Sequence, residues 1–490
     1  MSDVSTSTPR VDVVSAVRAH IWALTVWTAL TAWAVGLFAI MRDHYVHYRL
    51  ARFDLGNMVQ AVWSTTQGRP LDMTDGASGE QVSRLAFHVD PILALLAPLW
   101  IVFPTPLMLV AVQVVAIALG ALPVFWLARK HSGSERVAAL LALAYLAYPW
   151  TAWAGVDVFH PISLSLPLLL YAVWFLDSDR LVPFAVVSVL AAASGELVGL
   201  TIAALGLWYA FGRGRRWPGL ATAAAGIGWS LIAVLVVVPA FAGGDSPYYG
   251  AYANVGGSPT GLLKLSFTEP MTIVAEVTRR GDLAYLGLLI VPLIGAFALA
   301  PGLAAVALPQ VSLNLLAGFA ATTDVRAHYT APVLACLFAA TAVGVDRLRP
   351  SSSGRVAATL LAICAATTLM LGPWPLGSIG KPKWWGVHET AEEVAVRDAA
   401  IALVPRGAPV SASNTLGAHL ADRRYLASVP TWGEAEWVVI DVNDTWRPLR
   451  WGGGEHPEEI RAALARLKAD PTWALIFSAR GVYVFRKVGY

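Results

Sequence analysis

The chain has 490 residues, of which 57% are hydrophobic and 14% are charged, against roughly 25% charged residues in an ordinary soluble domain. One soluble core could not bury so much apolar surface. The composition therefore excludes a cytosolic enzyme, a disordered chain and a disulfide-rich scaffold, and favours a polytopic helical membrane protein. The net charge of +3 is too small to indicate a nucleic-acid partner. Cys336 and Cys364 lie in apolar runs and indicate no redox role.

The first apolar run, Ile21 to Met41, is long enough to span a bilayer. It follows Arg10 and Arg18, which predicts a retained helix and a cytoplasmic N-terminal segment over residues 1–20. Ten further runs bring the prediction to about eleven transmembrane helices in an all-α domain over residues 21–372. These runs are Pro106–Ala128, Val137–Trp153, Pro161–Leu176, Leu181–Ser194, Leu197–Phe211, Pro218–Phe241, Leu283–Ala300, Leu303–Phe319, Tyr329–Val345 and Val356–Leu371.

The charges of the loops predict the orientation of these helices. Arginine and lysine gather in the connections at 129–136, 213–216 and 346–355, whereas those at 154–160 and 194–196 contain neither. Cationic connections stay on the cytoplasmic side. The first long loop, residues 42–105, is therefore predicted to lie outside.

Within the first long loop, the apolar stretch from Ile92 to Phe103 is too short to cross a bilayer as a helix. It predicts an interfacial or re-entrant helix that lies flat against the outer leaflet.

Residues 373–490 form a second region with a different composition. They hold 27 of the 67 Lys, Arg, Asp and Glu residues, about twice the density of the preceding chain. Helical patterns at 389–403 and 458–468 alternate with short strand patterns at 409–413, 437–441, 473–477 and 482–485. An odd number of crossings places this predicted small α/β domain outside the membrane.

Ionisable residues at membrane depth are costly and are functional candidates by default. In this layout the uncommon ones gather on the predicted outer face, in five separate stretches of sequence. They are Arg52, Asp54, His88, Asp90, Asp157, His160, Glu196, Asp324, Arg326 and His328.

Several of these residues also have simpler interpretations. His160 could begin a helix with Pro161, Glu196 could interact with a helix dipole, and Arg326 could bind lipid phosphate. Asp54 lies between Arg52 and a Leu-Gly turn, before an amphipathic stretch. A carboxylate held beside an arginine near the membrane surface is suited to act as a positioned base.

A divalent metal is the less favoured alternative for part of this set. His88, Asp90, Asp157 and His160 could together supply two imidazoles and two carboxylates. The alternative is that they cap helices and form hydrogen bonds. Because no HExxH or CxxC pattern accompanies them, we predict no cofactor.

At these residues the sequence resembles a bacterial family of predicted membrane proteins, catalogued as domain of unknown function two thousand and seventy-nine. The similarity runs from about Arg52 to the end of the chain. It is carried by Arg52-Phe53-Asp54-Leu55-Gly56-Asn57, Phe87-His88-Val89-Asp90-Pro91, Asp157-Val158-Phe159-His160-Pro161, Arg326-Ala327-His328-Tyr329-Thr330-Ala331-Pro332, Val410-Ser411-Ala412-Ser413-Asn414 and His419-Leu420-Ala421-Asp422-Arg423.

That family resembles the GT-C membrane glycosyltransferases, which take sugar from a polyprenyl-phosphate carrier. The resemblance implies a GT-C-like fold in a bacterial inner membrane, a first-loop catalytic acid at Asp54, and a glycan or protein acceptor in the envelope. It implies substrate contacts for Arg52, His88, Asp90, Asp157, His160, Glu196, Arg326 and His328. Two other classes stay open. They are a transporter or lipid flippase, and a non-catalytic partner in envelope assembly.

Overall fold

A computed structural model describes residues 13–244, 247–374, 389–449 and 452–489. A body of apolar helices extends to Leu371, and a segment with a five-stranded sheet follows it. Most of the predicted N-terminal segment 1–20 lies outside the described residues. The boundaries of the two predicted domains stay predictions.

Five described helices are long and apolar enough to cross a membrane, and a bent pair would make a sixth. Each of the eleven predicted runs coincides with helical structure, but several helices have only 10–17 residues, so the number of crossings stays a prediction. The five long helices are His20–Val46, Leu107–Ser132, Arg216–Ala242, His328–Arg347 and Pro350–Leu371. The shorter apolar helices in the body are Pro161–Asp177, Leu181–Ala192, Val198–Gly212, Gly281–Leu293 and Pro301–Leu316.

Two of the predicted runs are broken for reasons that lie in the sequence. The run 137–153 divides into Glu135–Ala147 and Pro149–Val156, which are bent by 52°. Tyr148 is extended, as expected for a residue before proline. The run 283–300 does not form one helix, because Ile294 and Gly295 both adopt left-handed backbone angles and turn the chain.

Glycine allows two neighbouring helices, Val198–Leu207 and Arg216–Ile232, to approach closely. A Cβ atom at Gly199 would collide with the carbonyl oxygen of Gly226, and one at Gly206 would collide with the backbone of Gly219. Close contact between small residues is a common way of packing helices in membranes. This contact supports the connection at 194–196, which carries Glu196.

At the opposite end of the body, cations from the predicted inner loops converge on one buried acid. Asp177 accepts hydrogen bonds from Lys130 at 2.6 Å and His131 at 3.1 Å, and Arg213 Nη1 lies 3.2 Å from its other oxygen. Burial of a carboxylate is tolerated when cations surround it. The cluster ties three helices together at this end.

The first long loop is largely ordered, and its hairpin was not predicted. A π-helical turn, Arg52–Gly56, leads into the helix Asn57–Thr66, and the strands Asp72–Thr74 and Gln81–Ser83 pair in antiparallel register. The predicted short helical stretch is confirmed as Ile92–Leu95 and Ala97–Val102. Its apolar side chains at Leu95, Leu99, Ile101, Val102 and Phe103 are exposed.

The connection between the helices Val238–Ala242 and Arg280–Ile290, for which the sequence suggested no elements, has three helical segments in its described part. They are Pro247–Val255, which is kinked at Tyr252, Pro259–Thr268 and Pro270–Val277.

The C-terminal segment contains a mixed sheet with strand order 426–428, 410–412, 437–441, 482–487 and 473–479. The first three strands in this order run parallel to one another. The strand 482–487 is antiparallel to both of its neighbours, 437–441 and 473–479. Four of these strands and the helices Ala391–Ala402 and Pro457–Ala469 confirm predicted elements. The strand Leu426–Ser428 and the hairpin of Trp446–Leu449 with Gly452–Glu455 were not predicted.

Buried hydrogen bonds join this segment to the first long loop. Arg52 is 1% exposed, and its Nη2 donates to the carbonyl oxygens of Thr74 at 2.5 Å and Leu426 at 2.8 Å. Gln60 donates from the same side to the carbonyl oxygens of Arg423 and Arg424, at 3.0 and 2.9 Å. A side chain at Gly417 would overlap Arg52. Arg52 therefore has a structural role, and its predicted substrate contact stays a prediction.

An aromatic contact extends the same interface. The ring of His419 stacks on Tyr45 with centroids 4.1 Å apart and lies 4.2 Å from that of Tyr48. Burial lowers the pKa of His419 to about 4, so the ring is neutral near pH 7, and its Nε2 lies 3.0 Å from the carbonyl oxygen of Tyr45. Tyr48 donates to Asp398 at 2.5 Å. These contacts hold the sheet against the end of the first helix.

The predicted orientation has a direct test at the last long helix. Reporter fusions after Arg349 and Arg406 should report opposite sides of the membrane, because the helix Pro350–Leu371 lies between them and is long enough to cross. Equal reporter activity at both sites would contradict the layout.

Replacement of Arg52 tests the interface. Arg52→Met should destabilise the folded protein by about 3 kcal/mol, because it leaves buried carbonyl oxygens without donors. Thermal unfolding in detergent, together with proteolysis of the C-terminal segment, measures the effect. The control Arg42→Met removes an exposed arginine and should match the wild type. Equal stability of the two variants would reject this role.

Candidate functional site

A cavity of about 1050 Å³ lies where the first long loop, the C-terminal segment and several helix ends meet. Eight of the predicted site residues line it. The eight are Arg52, Asp54, His88, Asp90, Asp157, His160, Glu196 and His328. Their roles in binding or catalysis stay predictions.

Asp54 lies on the π-helical turn, where it faces His160 across the cavity wall. Its Oδ1 lies 3.4 Å from His160 Nε2, and its side chain is 37% exposed. The other ring nitrogen of His160, Nδ1, lies 2.5 Å from the carbonyl oxygen of Val158. A carbonyl accepts but cannot donate, so Nδ1 carries a proton.

The bond to Val158 fixes the protonation of the pair. With Nδ1 protonated, His160 can donate to Asp54 from Nε2 only as an imidazolium. Burial acts to lower the pKa of His160, but the Asp54 carboxylate outweighs it and the net shift is upward. Burial likewise acts to raise the pKa of Asp54, and the hydrogen bond and charge of His160 hold it below its ordinary value. Asp54 is therefore an ionised acceptor near neutral pH.

A second imidazole stacks on the first. The rings of His160 and His328 lie 3.6 Å apart and nearly parallel. His328 Nδ1 lies 2.9 Å from Asp157 Oδ2, and that oxygen also accepts from the His328 backbone N–H at 2.8 Å. Asp157 thus fixes the ring that in turn packs against His160.

Three of these side chains could hold a metal ion. One ligand atom each from Asp157, His160 and His328 lie within 4.8 Å of one another. The four-residue set weighed in the sequence analysis differs from this one, because His88 contacts Glu196 and Asp90 contacts Arg84. Two imidazoles with one carboxylate suit a transition metal better than magnesium.

Another part of the lining is built around Glu196. It accepts from the Val89 backbone N–H at 3.1 Å, and its other oxygen lies 3.4 Å from His88 Nδ1. Burial acts to raise the pKa of Glu196, but the charge and hydrogen bond of His88 outweigh it and the net shift is downward.

Arg84 and Asp90 form a buried ion pair in the same wall. Arg84 donates to Asp90 Oδ2 from Nε at 3.1 Å and from Nη2 at 2.9 Å. The other carboxylate oxygen, Oδ1, has no hydrogen-bond partner within the described ranges. The lining therefore contains a guanidinium that the sequence analysis did not select.

Arg326 does not belong to the described lining. Its guanidinium pairs with Asp324, two residues earlier, at distances of 2.7–3.1 Å. Its neighbours Ala327 and His328 do line the cavity. The predicted substrate contact of Arg326 stays a prediction that this geometry does not favour.

Sequence reasoning missed several other lining residues. Gln310 donates to Asn314 at 2.8 Å, and Asn314 donates to Tyr285 at 2.9 Å and to the carbonyl oxygen of Tyr329 at 3.2 Å. Amides inside a predicted membrane helix were the available signal, because such groups need partners in an apolar setting. Arg84 was missed because long loops translocate regardless of charge, so its charge carried no information on position.

The C-terminal segment also contributes to the cavity wall. Trp446 and Gly453, from its hairpin, are lining residues. The Trp446 ring lies 5.0 Å from that of Phe53, edge to face. Phe53 donates its backbone N–H to Asn414 of the same segment at 3.0 Å. The turn that carries Asp54 is therefore held by the C-terminal segment.

Comparison with known proteins shows the fold. The structure is similar to ArnT from Cupriavidus metallidurans, a GT-C glycosyltransferase solved bound to undecaprenyl phosphate, with a TM-score of 0.51 and 15% sequence identity. The alignment covers 96% of this chain and 99% of that one. At this identity the likeness shows the fold alone. No curated protein sequence matches the chain.

The sequence itself matches a family model over residues 46–484. The model is described as "Predicted membrane protein (DUF2079)". The matched region includes the first long loop, the helices around the cavity and nearly all of the C-terminal segment. The chain therefore belongs to the DUF2079 family of predicted membrane proteins.

Proposed function

We propose that the protein is an inverting membrane glycosyltransferase. It transfers a sugar from a polyprenyl-phosphate donor to an envelope acceptor at the outer face of a bacterial inner membrane. The observation that carries this proposal is the cavity in which ionised Asp54 faces His160. The similarity to ArnT, which was solved with undecaprenyl phosphate, supports the class of donor.

Asp54 is the general base in this proposal. It accepts the proton of the acceptor hydroxyl as the hydroxyl oxygen attacks the anomeric carbon. The bond between that carbon and the phosphate oxygen breaks, and polyprenyl phosphate leaves with the electron pair. His160 holds the carboxylate in place through its Nε2, so His160 and its stacked neighbour His328 are positioning residues.

Arg84 is the proposed partner of the departing phosphate. The arginines among the described lining residues are Arg52 and Arg84, and Arg52 is bonded to main-chain carbonyls. A guanidinium stabilises phosphate oxygens through bidentate hydrogen bonds. Arg84, whose guanidinium also pairs with Asp90, is therefore assigned this role.

The short helices from Ile92 to Val102 are the proposed binding site of the polyprenyl chain. They follow Arg84 and Asp90 directly in the first long loop and expose Leu95, Leu99 and Ile101. Exposed apolar side chains of this kind bind acyl or prenyl chains at a membrane interface. The phosphate and the lipid would thus be bound by neighbouring parts of one loop.

The cavity also bears on the alternative functions. A binding partner without catalysis would need a contact surface and would have no use for a cavity lined by ionisable residues. A transporter binds its substrate near the bilayer midplane, whereas these residues lie at helix ends and in connections. Both features favour the enzyme.

Substitution of the base tests the proposal. Asp54→Asn keeps the size of the side chain but cannot accept the proton, so transfer should fall by roughly 10²–10⁴-fold. Donor binding should survive, because the substitution adds no negative charge. The measurement is transfer of radiolabelled sugar from polyprenyl phosphate by purified protein in liposomes. Asp43→Asn, which changes an acid whose side chain is 48% exposed and lies outside the lining, is the control. Near-normal transfer by Asp54→Asn would reject the base assignment.

His160, the partner of Asp54, should have a separate effect on the pH dependence of the reaction. Removing His160 leaves burial as the main influence on Asp54, so the pKa of the carboxyl should rise. The acidic limb of kcat/KM should therefore move to higher pH in His160→Gln, because the base is now protonated at higher pH. A pH–rate series on both proteins measures this shift. An unmoved acidic limb would contradict the pairing.

A further inference from the structure

We infer that Phe53 and Trp446 form a carbohydrate subsite that binds a neutral sugar ring of the acceptor beside Asp54. This inference rests on the proposed function and adds the acceptor class and the part of the chain that recognises it. The subsite combines the first long loop with the hairpin of the C-terminal segment.

The two aromatic rings meet inside the cavity. Their centroids lie 5.0 Å apart at an interplanar angle of 62°, and both residues belong to the lining. Phe53 precedes Asp54 on the same π-helical turn. A molecule in contact with these rings is therefore close to the proposed base.

Both rings are fixed before any ligand binds. A Cβ atom at Gly453 would overlap the indole of Trp446, so the absence of a side chain there leaves space for the ring across the hairpin. The backbone N–H of Phe53 is bonded to Asn414 Oδ1 at 3.0 Å, and its carbonyl oxygen accepts from Asn57. Rings that are already ordered lose little conformational entropy when a ligand binds.

The chemistry of the surroundings favours a sugar over a lipid chain. A pyranose has an apolar C–H face, which packs on an aromatic ring, and a hydroxyl edge, which needs hydrogen-bond partners. Asp54, Asn57 and Asp75 line the same cavity, and Asn57 Oδ1 has no partner among the described residues. A prenyl chain would leave Asn57 Oδ1 without a hydrogen-bond donor.

The charges of the lining restrict the sugar further. Two carboxylates belong to the lining in this part of the chain. Asp54 follows Phe53 on the π-helical turn, and Asp75 lies in the hairpin between the strands Asp72–Thr74 and Gln81–Ser83. The guanidinium of Arg52 is already bonded to the carbonyl oxygens of Thr74 and Leu426. An acidic sugar would meet repulsion from these carboxylates, and the imidazolium of His160 is already paired with Asp54, so the subsite should prefer neutral glycosides.

Binding of simple glycosides tests the inference without catalysis. The full chain in nanodiscs is titrated with methyl α-D-mannopyranoside, methyl α-D-glucopyranoside and methyl β-D-glucuronide, and binding is followed by saturation-transfer NMR. At least one neutral glycoside should bind, and the glucuronide should bind more weakly. Trp446→Leu should lower the affinity for the neutral glycoside by about tenfold. Trp446→Phe keeps an aromatic face, so its affinity should stay near that of the wild type.

Two further variants make the result specific. Trp217→Leu removes a tryptophan that is 84% exposed and outside the lining, and it should bind like the wild type. Glycoside binding by the wild type does not depend on catalysis. If the wild type binds the neutral glycoside and Asp54→Asn keeps full transfer activity, the subsite stands and the base assignment falls. Absence of neutral glycoside binding by the wild type, or equal binding by Trp446→Leu, would overturn the subsite.

Discussion

The buried guanidinium of Arg52 is the contact on which the candidate site depends. It joins the carbonyl oxygens of Thr74 in the first long loop and Leu426 in the C-terminal sheet. Burial lowers the pKa of Arg52 to about 10, and Asp75 acts in the opposite direction, so the group remains charged near neutral pH. A buried charge without such partners would cost several kcal/mol. The turn that carries Asp54 begins at this residue, so the placement of the proposed base follows from the docking of the two segments.

Paired charges allow the cavity to exist at the edge of an apolar body. Asp54 is matched by His160, Asp157 by His328, Glu196 by His88 and Asp90 by Arg84. A low-dielectric wall tolerates such groups when each is bonded to an opposite charge or to a backbone donor. The same pairing fixes side-chain positions in advance, which is what a site needs if it is to stabilise a transition state.

Several helices end or begin close to the cavity wall. Irregular backbone in a membrane protein is tolerated where it lines a cavity or is buried in protein. Proline and glycine produce several of these ends, and the same breaks make many helices too short to be counted as spans. The helix ends within two residues of lining residues in the sequence are Val156, Pro161, Ala192, Val198, Leu316 and Ala331.

The sequence by itself determined the apolar helices, the strands at 437–441 and 482–485, and the ionisable residues that gather at the cavity. Hydrophobic periodicity and proline act locally, so they can be read without a structure. The tertiary structure alone decided the partners. His160 pairs with Asp54 and not with His88, and Arg84 enters the lining. The hairpin that brings Trp446 beside Phe53 was likewise invisible in the sequence. These pairings join residues up to several hundred positions apart, and no local pattern encodes which of the many possible long-range contacts buries its polar groups best.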